Sequence, residues 1–164
     1  MRKHDLPPLL APGLHVMTLD RLHGLAVEDP RFRLSGTRAT IMKNLWTMCG
    51  CLCRWGVGEE LWVDGSFLTE EIDPKDVDLV LVLSERFEET ATDEQLGIWD
   101  WWDDGHEAGE LLKCDTFILA KLPIADPEFA EFARQEAGWK KWFGTNRQGR
   151  TKGIGRILLP DGRI

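Results

Sequence analysis

Apolar residues gather in four short runs whose lengths and flanking residues are typical of β-strands. The runs lie at 61–63, 79–83, 111–119 and 154–159. Gly65 and Ser66 interrupt the chain after the first run, and Pro123 follows the third. We expect these strands to form a sheet, with the last of them at its edge.

Between the strands, apolar residues recur at the three- and four-residue spacing of helices. Helices are expected at 19–24, 38–54 and 93–102, and from Asp126-Pro127 to Gly144. Residues that favour helix starts precede them: Thr18, Ser35 or Thr37, the pair Thr92 and Gln95, and Asp126. Strands alternating with helices predict an α/β fold, a mixed sheet of about four strands with helices packed on it.

The length of 164 residues suits one domain spanning 1–164. Proline and glycine are frequent at 1–17, which predicts an extended N-terminal arm, and 144–164 predicts a basic loop followed by the final strand. No apolar run approaches the length of a membrane span, and the N-terminus does not resemble a signal peptide. We therefore expect a cytoplasmic protein with no membrane partner.

The stretch 61–83 combines a glycine-containing turn with two carboxylates that open the second strand. Asp76 and Asp78 are two residues apart, so on a strand their side chains share one face and repel one another. A divalent cation shared with phosphate oxygens would relieve that repulsion. Gly65 lets the backbone approach a ligand, and Ser66 adds a hydroxyl beside amides that can face a phosphate. Alternatively, the two aspartates are solvated surface residues of an ordinary βαβ-like unit.

Gly65-Ser66, nine residues and then Asp76-x-Asp78 resembles the signature of the DNA polymerase β-like nucleotidyltransferase superfamily. The resemblance implies a minimal nucleotidyltransferase fold in which Asp76 and Asp78 bind two Mg²⁺ ions together with a nucleoside triphosphate. Gly65 and Ser66 would then receive the triphosphate. Asp64, just before the glycine, departs from the pattern, because members of the superfamily usually have an apolar or aromatic residue there.

Superfamily members carry a third carboxylate on a later strand, and Asp115 in the run 111–119 occupies the matching place. It would join the metal site and orient or deprotonate the hydroxyl of the acceptor. A lone carboxylate among apolar strand residues is costly to bury unless it is paired or metal-bound. Two other interpretations stay open: an edge-strand aspartate that faces water, or one that pairs with Lys113 on the same face.

The formal net charge is −8, and it is distributed unevenly along the chain. Residues 138–164 carry seven basic and one acidic side chain, a net +6, which leaves −14 on the rest. We expect Arg147, Arg150 and Lys152 in this segment to help bind the triphosphate or a charged acceptor. The acidic body argues against extensive binding to duplex nucleic acid. Solubility alone would also account for the basic end.

The arm LPPLLAPGLH and the tail GTNRQGRTKGIGRILL resemble an uncharacterised family of small prokaryotic and phage proteins in the same superfamily. The superfamily implies Mg²⁺-dependent transfer of a nucleotidyl group from a nucleoside triphosphate to an acceptor. A protein hydroxyl, an RNA end and a small molecule all stay open as that acceptor. The alternative is an antitoxin-like or regulatory binding protein on the same fold, including one that is catalytically silent.

Three tryptophans lie close together in the predicted helix at 93–102. Trp99, Trp101 and Trp102 could stack a nucleobase, as aromatic side chains do in nucleic-acid-binding proteins. Tryptophans at helical spacing more often anchor a hydrophobic core.

Overall fold

The structure is a computed structural model that describes residues 6–160. Within that range, five strands form one mixed sheet in the order β1-β5-β2-β3-β4. The strands are β1 (Gly13–Val16), β2 (Glu60–Asp64), β3 (Val77–Leu83), β4 (Cys114–Ala120) and β5 (Gly153–Leu158). β2 runs antiparallel to both β3 and β5, whereas the β1–β5 and β3–β4 pairs are parallel. The predicted α/β class is confirmed.

The fifth strand, β1, comes from the predicted arm, and it corrects the expected position of the final strand. β5 lies between β1 and β2 rather than at the sheet edge. The close approach of the arm requires glycine at position 153, because a Cβ there would clash with the Ala11 carbonyl oxygen and with Leu10. Residues 1–5 of the predicted arm, and Asp161 and Arg163 of the basic end, lie outside the described residues.

Five helices pack on the sheet within residues 6–160. They are α1 (Leu19–Ala26), α2 (Arg38–Trp55), α3 (Phe87–Thr90), α4 (Asp93–Asp104) and α5 (Phe129–Phe143), with short 3₁₀ turns at Pro30–Phe32 and Ser66–Leu68 and a π-helical turn at Ala108–Leu112. None of the helices in the described range has the length and apolar character needed to cross a bilayer.

The helix starts test the predicted capping residues. Thr18 accepts a hydrogen bond from the Arg21 amide in α1, and Thr92 and Gln95 form the complete capping box of α4. At α2, Ser35 rather than Thr37 accepts the amide of the first helical residue, Arg38, at 3.1 Å.

Two predicted boundaries are wrong because local turns replace regular structure. α5 begins at Phe129 rather than at Asp126-Pro127, since the Asp126 carboxylate accepts the Glu128 amide in a turn that precedes the helix. β4 begins at Cys114 rather than at 111, because the π-helical turn ends at Lys113, whose φ is 58°.

The two faces of the sheet are covered by different helices. Leu61, Val63 and Leu79 pack under α1, α2 and α4, on what we call the α2 face. Trp62 and Val80 point to the opposite side, the α5 face, where they contact Phe132 and Phe143 of α5 in a second cluster.

Trp102 of α4 confirms the core interpretation of that helix. It is fully buried in the cluster under the α2 face, and its indole nitrogen donates a hydrogen bond to the Phe117 carbonyl oxygen at 2.9 Å.

Candidate functional site

Three aspartates stand side by side across β2, β3 and β4. Asp64 lies directly opposite Asp78, and Asp78 lies directly opposite Asp115. Residues two apart on a strand share a face, so Asp64 is on the side of Trp62 and Asp78 on the side of Val80. The row therefore lies on the α5 face, at the sheet end where β2 stops and β3 and β4 begin.

The row includes two of the three predicted acids, and the third adjoins it. Asp76 immediately precedes β3, and its charge acts on Asp78. Asp115 is solvent-exposed, which fits the edge strand that carries it. The predicted pairing of Asp115 with Lys113 is wrong, because the Lys113 ammonium donates instead to the Glu110 carbonyl oxygen at 3.0 Å.

Gly65 leaves β2 in a conformation that places its backbone against Asp78. Its φ is 84°, a backbone conformation that residues other than glycine rarely adopt. A Cβ at this position would also clash with Asp78 Oδ2. Ser66 follows in the 3₁₀ turn Ser66–Leu68. The Gly-Ser turn thus keeps the space beside the Asp78 carboxylate free of side-chain atoms.

Lys152 neutralises the innermost aspartate of the row. Its ammonium nitrogen lies 2.6 Å from Asp64 Oδ2, and both side chains are largely buried, with 12% and 6% of their surfaces exposed. Lys152 lies two residues before Ile154, whose side chain is on the α5 face of β5. Lys152 therefore extends that face towards Asp64. A buried carboxylate beside other carboxylates needs such a partner, because an unpaired charge is costly to desolvate.

Burial and like charges shift the protonation of the row. Burial, together with the negative charges of Asp76 and Asp115, raises the pKa of Asp78 to about 6, against the opposing charges of Lys152 and Arg147. Burial also raises the pKa of Asp64, to about 7, despite the opposing charge and hydrogen bond of Lys152. Asp64 and Asp78 therefore bind a proton or another cation more readily than ordinary surface carboxylates do.

The loop between α5 and β5 is built around Asn146. Its side-chain oxygen accepts the amides of Gln148 at 3.0 Å and Arg150 at 2.8 Å, as asparagine does in tight turns. Of the three predicted basic residues, Arg147 and Lys152 line the cavity beside the row. Arg150 is not among the residues that line it, and its guanidinium donates to the Gln148 side chain at 2.6 Å.

A buried arginine fixes the loop that follows Gly65. Arg38 donates hydrogen bonds to the carbonyl oxygens of Ala26, Phe67, Thr69 and Glu71, at 2.6–3.0 Å. Burial lowers its pKa to about 10. Because these carbonyls belong to α1 and to the segment 67–71, a single side chain joins the Gly-Ser turn to the helical layer.

A cavity of about 220 Å³ opens beside the row. Asp64, Gly65, Ser66 and Asp78 line one part of it, and Arg147 and Lys152 contribute the basic groups. The rest of the lining comes from the arm, the loop after the Gly-Ser turn, the C-terminal end of α5 and the loop that follows it: Leu6, Pro8, Thr69, Glu71, Trp142, Phe143, Thr145 and Asn146. Asp115 and Asp76 are not among the lining residues. A small cavity lined by Asp64 and Asp78 together with Arg147 and Lys152 suits a phosphorylated ligand that carries a metal ion.

The donor atoms available in the row are of the chemical type that Mg²⁺ binds. Asp64 Oδ1 is buried and has no hydrogen-bond partner among the described residues. Carboxylate oxygens are the ligands that Mg²⁺ prefers, and the Gly65 turn keeps space beside Asp78. The acids are nonetheless arranged in a line, and within residues 6–160 no three carboxylate, imidazole or thiol groups form a cluster close enough to hold an ion. The protein alone therefore provides part of a coordination shell.

Sequence reasoning missed three residues that shape this site: Asp64, Arg38 and Trp142. In the sequence Asp64 only departs from the motif, and its register opposite Asp78 depends on a twelve-residue connection whose course the sequence does not indicate. Arg38 reads as an ordinary helical residue. Trp142 follows Lys140 and Lys141 in the last turn of α5. The one sequence signal for its role is that this helix end precedes the basic loop at 145–152.

Comparison with known proteins gives one family match. The model of a family of unknown function, DUF6932, matches residues 3–158. No curated protein and no solved structure matches the chain. The family match covers nearly the whole chain and brings no activity with it.

The raised pKa values predict how stability depends on pH in metal-free buffer. A carboxyl whose pKa is raised on folding stabilises the protein below its unfolded pKa of about 4, and that contribution is lost as the pH rises through the folded pKa. For Asp78 the loss occurs between about pH 4 and pH 6. We expect Asp78→Asn to be more stable than the wild type by about 1–3 kcal/mol at pH 8 and nearly equal to it at pH 4.

Urea unfolding of both proteins across this pH range measures the difference. Asp100→Asn is the matched control, because Asp100 is exposed on α4, and it should follow the wild type at every pH. A variant Asp78→Asn that is less stable than the wild type at pH 8 would show that the ionised carboxylate supports the fold.

Proposed function

The chain belongs to a family of unknown function, DUF6932, and we propose from its site that it is a Mg²⁺-dependent nucleotidyltransferase of the DNA polymerase β-like type. It would move a nucleotidyl group from a nucleoside triphosphate to an acceptor. The observation that carries the proposal is the row of Asp64, Asp78 and Asp115, with the Gly65-Ser66 turn against its centre. The mixed sheet that bears the row is compatible with the minimal nucleotidyltransferase fold.

Each residue has a chemical task in this proposal. Asp76, Asp78 and Asp115 would hold Mg²⁺, which when bound neutralises phosphate charge during transfer. Asp115, exposed at the outer strand, can also reach an acceptor hydroxyl and orient it or take its proton. Gly65 and Ser66 line the cavity that would receive the triphosphate.

The basic side of the cavity would bind the phosphates. Arg147 is exposed at the cavity and offers a planar guanidinium for phosphate oxygens. Lys152 already pairs with Asp64, so its ammonium offers the triphosphate a fixed positive charge whose position does not depend on the ligand. The acceptor class stays open between a protein hydroxyl, an RNA end and a small molecule.

A regulatory or antitoxin-like binding protein on this fold, catalytically silent, is the second candidate. Two observations favour it, the first being that within the described residues the acids do not form a three-ligand cluster. The engagement of Lys152 with Asp64 points the same way, because it satisfies part of the acidic row without a metal ion. Such a protein would bind nucleotide or partner without transferring a group.

Incubation with each labelled nucleoside triphosphate and Mg²⁺, with and without a cell lysate, separates the two candidates. We expect a protein, RNA or small molecule to gain a nucleotidyl mass by mass spectrometry, and the gain to fall to background in Asp78→Asn. Asp100→Asn should transfer at the wild-type rate, because Asp100 is exposed on α4 and does not line the cavity. Equal labelling by the wild type and Asp78→Asn would contradict the proposed enzyme, and nucleotide binding without transfer would favour the silent candidate.

Arg147 and Arg150 form a matched pair on one loop. Arg147→Gln should weaken triphosphate binding about fivefold to tenfold, or about 1–1.4 kcal/mol, the net contribution of one typical hydrogen bond. Arg150→Gln should change it little, since Arg150 contacts Gln148 and is not part of the cavity lining. Calorimetry at low and high salt measures both, and the Arg147 effect should shrink as salt rises. An equal loss in the two variants would indicate general attraction by the basic loop.

A further inference from the structure

Trp142 is a large exposed aromatic residue at the cavity beside the acidic row. It lies in the last turn of α5 and lines the cavity together with Asp78, Arg147 and Lys152. Its side chain is 59% exposed, more than that of Trp46 at 39% or Trp55 at 45%, so a large aromatic surface is available at the cavity.

The exposed indole is held in place by other aromatic rings. Its centroid lies 5.2 Å from that of Trp139, 5.3 Å from that of Phe117 and 5.9 Å from that of Phe143. Phe117 is on β4 two residues after Asp115 and so shares its face of the sheet. The indole is therefore an ordered surface on the face of the sheet that carries Asp115, and a ligand stacking on it would cost little side-chain entropy.

The size and charge of the cavity indicate which part of a nucleotide lies where. Its volume of about 220 Å³ is below the roughly 300–1,000 Å³ of pockets that enclose a whole drug-sized ligand. Arg147, Lys152 and the Gly65-Ser66 turn suit phosphates rather than an apolar ring. With the triphosphate inside, the nucleobase must lie at the rim, where Trp142 is exposed.

We propose that Trp142 stacks the nucleobase of the triphosphate bound beside Asp78. The inference rests on the proposed function, because it assumes that the cavity takes a triphosphate. Stacking on an indole needs only the π-face that every base has, so this contact selects for a nucleotide over inorganic polyphosphate without selecting one base.

The test compares ATP with inorganic tripolyphosphate, both with Mg²⁺, by calorimetry. The proteins are the wild type, Trp142→Leu, Trp142→Phe and the matched control Trp55→Leu, whose tryptophan is 45% exposed at the end of α2 and does not line the cavity. We expect Trp142→Leu to weaken ATP binding by about tenfold and to leave tripolyphosphate binding unchanged. Trp142→Phe should retain most of the ATP affinity, and Trp55→Leu all of it.

Three results would overturn the inference. If the wild type binds tripolyphosphate as tightly as ATP, the base makes no contact, although the phosphate site stands. If Trp142→Leu weakens both ligands equally, the residue supports the cavity and does not contact the base. If the wild type binds neither ligand, the proposed function fails and the base contact fails with it.

Discussion

Asp64, Asp78 and Asp115 stand on adjacent strands in direct register, and their mutual repulsion is the constraint to which the surrounding structure responds. Like charges placed directly opposite one another destabilise a sheet. Lys152 offsets the innermost charge at 2.6 Å. Burial, together with the charges of Asp76 and Asp115, raises the pKa of the central carboxyl group, Asp78, so its ionised form destabilises the fold. Stability is thus given up at one end of the sheet, and a bound cation would restore it.

The elements around the row are arranged to leave that end of the sheet open while fixing its edges. The arm adds β1 beyond β5, and Pro8 pairs with Thr69 in the loop that follows the Gly-Ser turn. Arg38 of α2 holds the same loop through carbonyl oxygens that include the one of Thr69. The segment after Gly65 is therefore held both by the arm and by α2. Rigid loops beside a cluster of like charges are what a preorganised binding site requires.

Local signals predicted most of the elements and only part of the site. The capping box of Thr92 and Gln95 and the apolar runs depend on neighbours in sequence, and the structure bears them out. The interior position of β5 depends on an arm whose pairing has no local signature in the sequence. The pairing of Lys152 with Asp64 joins residues more than 80 positions apart. The motif predicts two of the three aspartates in the row, Asp78 and Asp115, whereas Asp64 joins them through strand register alone.

The sign of the effect of Asp78 on nucleotide binding tests the cation site most directly. ATP affinity is measured by calorimetry for the wild type and Asp78→Asn, once with Mg²⁺ and once with EDTA. We predict that Asp78→Asn binds ATP about tenfold more weakly with Mg²⁺, where a ligand of the ion is lost. With EDTA it should bind equally or more tightly, because a carboxylate that repels the phosphates is gone. Tighter binding by Asp78→Asn under both conditions would contradict the cation site and show that the aspartate only repels the nucleotide.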